Sequence, residues 1–87
     1  MTPSECAKWM LDKLAAQKYL DQETVAYELS RRAPEHTYTN ENGNLAITRS
    51  VLDAFRKLTS DDRIVWSRSS RQWRYREKWD KAGRMQD

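Results

Sequence analysis

The apolar residues of this chain repeat with a helical period as far as Leu58, and beyond Arg63 they alternate one residue in two. That change of period divides the sequence into a helical body and a β-hairpin, and it restricts the fold to a small α+β domain. A tight turn at Ser69-Ser70 sets Arg68 opposite Arg71, Trp66 opposite Trp73 and Ile64 opposite Tyr75. Ile64, Trp66, Trp73 and Tyr75 then share one face, while Arg63, Val65, Ser67, Arg74 and Arg76 share the other. A slip of one residue would mix the two sets, so the register is self-supporting. Two-residue hairpin turns favour Gly or Asn over Ser-Ser, and a four-residue loop in the same register is equally compatible.

Upstream, Thr2-Pro3-Ser4-Glu5 starts a helix: Thr2 caps it, Pro3 fills the first position without losing a bond, and Glu5 closes a capping box. Cys6, Ala7, Met10, Leu11 and Leu14 fall on one arc of ~140°, with Trp9 at its edge, which predicts a helix from Pro3 to Gln17. Lys18-Tyr19-Leu20 suits one short strand. Asp21 then caps a second helix, with Leu20 and Val25 spaced as a hydrophobic staple, and Pro34 stops it near Arg32 or Ala33. Residues 34–44 are dense in turn formers and read as a long loop tacked down by Tyr38, with His36 solvated. A third helix begins near Leu45–Thr48 and ends near Leu58. Ile47, Val51, Leu52, Phe55 and Leu58 face inward on it, and Arg49, Ser50, Asp53, Arg56 and Lys57 face outward. Trp79 is expected to be the last anchor of a domain spanning 1–79, followed by a frayed tail over 80–87.

The 87 residues leave room for one domain. No apolar run exceeds three residues, which excludes a membrane span and a secretory leader and predicts a cytoplasmic setting. Cys6 and His36 are single representatives of their types, so an internal disulfide, a cysteine–histidine metal cluster and histidine-rich chemistry are all excluded. Glu35, Glu41, Asp61 and Asp62 pair in no catalytic pattern, and there is no glycine-rich phosphate loop. No enzyme activity, cofactor, metal or small-molecule ligand is therefore expected. Trp66 and Trp73 read as core residues rather than base-stacking platforms, and Cys6 as an inert buried thiol.

Charge points to a partner. Net charge is +3, yet residues 1–62 hold eight Lys/Arg against ten Asp/Glu, whereas residues 63–87 hold eight against three. Five of those cations are the arginines Arg63, Arg68, Arg71, Arg74 and Arg76, within a stretch that has no acid. A near-neutral body with one cationic end suits a polyanion.

The order helix, strand, helix, loop, helix, arginine-rich hairpin resembles the winged helix-turn-helix superfamily over residues 3–77. The resemblance rests on that order (α1-β1-α2-α3-β2-β3) and on Ile47–Leu58 running into Arg63-Ile-Val-Trp and an aromatic-basic second strand. It implies a non-enzymatic protein that binds double-stranded DNA, with the third helix in the major groove and the hairpin on the phosphate backbone. Carried onto this sequence, Arg49, Ser50, Asp53, Arg56 and Lys57 would face the groove, and Thr48 and Ser50 would touch phosphate near the helix start. Arg68 and Arg71 would form the wing tip, with Arg63, Arg74 and Arg76 adding cationic strand positions. Asp53 opposes phosphate and suits only a donor such as the cytosine amino group. Winged helices also serve as protein-interaction or adaptor domains, and that alternative, like a homodimer, stays open.

Overall fold

The computed structural model describes all 87 residues, Met1–Asp87. Local chemistry sets the helix ends. The Glu5 amide donates to Thr2 Oγ1 at 3.1 Å and the Thr2 amide to Glu5 Oε1 at 2.8 Å, the capping box that opens α1 (Pro3–Gln17). Lys18 closes it in the left-handed region, at φ 74°, with its amide on the Leu14 carbonyl. After β1 (Tyr19–Asp21), Asp21 caps α2 (Gln22–Arg32) through the amide and hydroxyl of Thr24, both at 3.0 Å.

Residues 34–44 are not the loop the sequence suggested. Pro34–His36 form a 3-10 turn, and β2 (Thr37–Thr39) pairs antiparallel with β3 (Leu45–Ile47) around a turn held by Asn40. Leu45–Ile47 is strand rather than the first turn of the third helix, so α3 runs from Arg49 to Leu58 with Thr48 as its N-cap. His36 is buried rather than solvated. Its Nε2 lies 2.6 Å from the Met1 carbonyl and must be the donor, because a carbonyl only accepts. Tyr38 is exposed and anchors nothing.

The alternation-derived hairpin is present: β4 (Ile64–Ser67) pairs with β5 (Gln72–Tyr75) in the register Ile64↔Tyr75 and Trp66↔Trp73. The connection is the four-residue loop Arg68–Arg71, with Arg71 in the left-handed region at φ 54°. β1 joins the far side of β5, with Leu20 opposite Trp73. A further strand, β6 (Met85–Gln86), lies parallel to β4, giving a mixed sheet of order β1-β5-β4-β6.

The core fills the space between the three helices and the inner face of this sheet. Cys6, Met10 and Leu14 from α1, Leu20, Val25 and Leu29, and Val51 and Phe55 from α3 are all at most 1% exposed. Phe55 meets Trp73 edge-on at 5.2 Å between centroids, and Trp66 packs against Trp73 at 4.7 Å.

The outer face of the hairpin departs from expectation. Val65 and Ser67 are buried, because the chain after Tyr75 folds back across that side instead of fraying. Trp79 is 77% exposed, so polar contacts and not this ring hold the returning segment. The result is a single α+β domain with three helices, and no helix is long and apolar enough to cross a membrane.

Candidate nucleic-acid interface

The side of α3 turned away from the core carries Arg49, Ser50, Asp53, Arg56 and Lys57, all exposed, because Val51 and Phe55 occupy the buried side. Thr48 makes no side-chain cap; its Oγ1 sits 3.3 Å from Ser50 Oγ instead. The first turn of α3 contains no acid. Arg49 is 91% exposed and only loosely paired, with its Nε 3.9 Å from Asp53 Oδ2. One guanidinium nitrogen of Arg56 reaches Asp61 Oδ2 at 3.4 Å. Lys57 makes no ion pair. Between α3 and the sheet runs a groove of about 570 Å³, floored by Leu52, Trp66 and Met85 and rimmed by Arg49, Asp53 and Arg56.

The hairpin arginines divide into two groups. Arg68 and Arg71 project from a loop fastened on both sides by main chain. The Gln22 amide donates to the Arg71 carbonyl at 3.1 Å, and the Arg68 amide donates to the Gln86 carbonyl at 2.9 Å. Both side chains are exposed and unpaired, as is that of Arg63 at the base of the hairpin.

Arg74 and Arg76, expected on the open cationic face, are instead engaged by the molecule itself. Arg74 forks onto Asp80 at 2.8 and 2.9 Å, and the Asp80 carboxylate is only 4% exposed. Hydrogen bonds from Arg74, and from the Glu77 amide, hold the Asp80 carboxyl far below the usual carboxylate range, and the same pairing pushes Arg74 up. Arg76 donates to three carbonyls: Asp61 at 2.9 Å, Lys81 at 2.7 Å, and Gly83.

Arg84 is a cation that sequence reasoning left out. Its side chain is 6% exposed, its Nε donates to Asp61 Oδ1, and one terminal nitrogen reaches the hydroxyl and carbonyl of Thr59 beyond α3. No local pattern signals a pair 23 residues apart.

These pairings fix a pH dependence. Arg84 holds the Asp61 carboxyl down, Lys81 that of Asp87, and Thr2 that of Glu5, while Glu35 is lowered by a main-chain amide hydrogen bond. A carboxyl whose folded pKa is depressed contributes stability above its unfolded pKa and loses it as pH falls through the folded value. The urea midpoint should therefore be flat from about pH 7 to 5 and should fall below about pH 4. A midpoint as high at pH 3 as at pH 7 would mean these pairs do not support the fold.

Residues 2–75 match a family described as "Family of unknown function (DUF6953)". No curated protein and no solved structure matches the chain.

Proposed function

The chain belongs to that family, DUF6953, and we propose that it is a non-catalytic winged helix-turn-helix domain that binds duplex DNA mainly through the phosphate backbone. Supporting the fold reading, β1 from between the first two helices joins the hairpin that follows α3, making one antiparallel sheet β1-β5-β4. The observation that carries the function is the hairpin tip: Arg68 and Arg71 stand exposed and unpaired on a loop whose main chain is tied down at both ends. Such a tip presents forked donors without a main-chain ordering cost at the moment of contact.

Lys57 and Arg63 add two further unpaired cations, and Arg49 on α3 is held by one loose contact. Asp53 lies among them, so sequence selectivity is modest and is confined to positions where a base donates. The contact set is smaller than the run of five arginines suggested, because Arg74 and Arg76 serve the fold.

The test is fluorescence anisotropy against random-sequence duplex at about 50 and 200 mM salt. About four neutralised phosphates give a log–log salt slope near −3.6, which weakens binding roughly 100-fold over that range. Absence of binding at low salt favours the second reading, a protein-interaction domain. The observations for it are the apolar floor of the α3 groove and the carboxylate of Asp53 at its rim.

A further inference from the structure

We infer that the segment after Tyr75 is a strap that restrains the DNA interface by occupying Arg74 and Arg76 with its own acceptors; the inference rests on the DNA-binding reading. The family match ends at Tyr75, at the last residue of β5, and the strap lies beyond it. Arg74 and Arg76 alternate along that side of the hairpin, the face the cationic pattern assigned to a polyanion.

What the strap offers them is chemically close to phosphate. Asp80 presents two oxygens to the fork of Arg74, at 2.8 and 2.9 Å, and a phosphate presents the same pair. The carbonyls of Lys81 and Gly83 take the terminal nitrogens of Arg76. With the strap seated, the hairpin shows only Arg63, Arg68 and Arg71 to an anion. With the strap released, it also shows Arg74 and the terminal nitrogens of Arg76, whose Nε stays on the Asp61 carbonyl.

The means of attachment sets the cost of release. Beyond the two-residue strand β6, whose neighbouring carbonyls accept from the Trp66 amide at 2.7 Å and the Arg68 amide at 2.9 Å, the strap is held by side-chain polar bonds. Its large apolar residues, Trp79 and Met85, remain exposed at 77% and 56%. A segment that buries little of its own apolar surface, and covers Val65 on β4, opens locally without global unfolding. One side-chain anchor besides Asp80 must let go, Arg84 on Asp61 and Thr59; the Gln86 amide, which donates to the Lys81 and Gly83 carbonyls, holds the strap's own turn in shape.

The experiment uses the full chain with three substitutions. Asp80→Asn should accelerate exchange of the Trp66 and Arg68 amides, tighten low-salt duplex binding at least about tenfold and steepen the salt slope by up to about 1.8, two phosphates' worth. Gln86→Ala disrupts the strap's own turn, which presents the Lys81 and Gly83 carbonyls to Arg76, without altering net charge, and should move exchange and affinity in the same direction. Asp12→Asn removes the same charge as the first variant at an exposed position of α1 that makes no ion pair, and should change affinity less than about twofold.

Faster exchange with unchanged affinity in both opening variants overturns the strap, as does unchanged exchange in both. An equal gain from Asp12→Asn overturns it too, since bulk charge would then explain the effect. If the unsubstituted chain fails to bind but the opened variants bind, the strap stands and the reading that the exposed tip suffices for binding falls. If the unsubstituted chain binds and opening adds nothing, only the strap falls. If nothing binds with the strap open, the DNA-binding reading falls with it.

Discussion

Phe55→Ala should lower folding stability by about 3–5 kcal/mol, the usual cost of deleting a buried phenyl ring together with the cavity it leaves. Phe55 is the largest fully buried side chain in the protein, and its ring meets Trp73 edge-on at 5.2 Å. It joins α3 to the sheet at the point where Trp73 also packs, tilted, against Trp66, so the cavity would open between elements that neighbouring side chains do not fill. A domain this size has roughly 5–15 kcal/mol in total, so the variant would sit near its unfolding threshold at 37 °C. Urea titration followed by tryptophan fluorescence reads the change directly. Phe55→Leu, which keeps most of the volume, should cost less than about 1.5 kcal/mol, and truncating the exposed Leu58 less still. A loss below about 1 kcal/mol for Phe55→Ala would mean that the Phe55–Trp73 contact does not organise the core.

The residues behind that prediction were legible in the sequence because their burial follows from local period. Cys6, Met10, Leu14, Val51 and Phe55 recur at helical spacing, and Trp66 opposite Trp73 follows from alternation about a turn. Thr2 and Asp21 mark their helix starts through bonds that span three residues, whereas Lys18, read as strand, closes α1 in the left-handed region. What stayed hidden depends on contacts between distant parts of the chain. Thr37–Thr39 and Leu45–Ile47 are three residues each, too short to display alternation, and Ile47 also fits the helical stripe of the residues after it. His36 is buried by a bond to Met1, 35 residues away. The same division runs through the candidate interface. Alternation placed Arg74 and Arg76 on the correct side of β5, but only the folded chain places Asp80, Lys81 and Gly83 against them. Arg68 and Arg71, at a turn with no acid nearby in sequence, kept the exposure that the sequence implied.

The double variant Arg68→Ala/Arg71→Ala should separate binding from folding. Neither side chain is paired and both are exposed, so stability should stay within about 0.5 kcal/mol of the unsubstituted protein. Alanine at 71 faces the same left-handed backbone that arginine already adopts, at φ 54°, so no new strain enters the turn. Loss of two phosphate contacts should flatten the salt slope by about 1.8 and weaken low-salt binding at least about tenfold. Arg74→Ala should do the reverse. It leaves the enclosed carboxylate of Asp80 without its fork, which lowers stability and loosens the segment after Tyr75, yet it removes no cation that the seated strap presents to DNA. Both variants lose arginine charge from the same hairpin, two residues in one and one in the other, so a generic charge effect would weaken binding in each. Only a contact localised at the tip makes one lose binding and the other lose stability. A double variant that binds as tightly as the unsubstituted chain, with the same salt slope, would take the tip out of the interface and leave the apolar groove beside α3 as the surface to pursue.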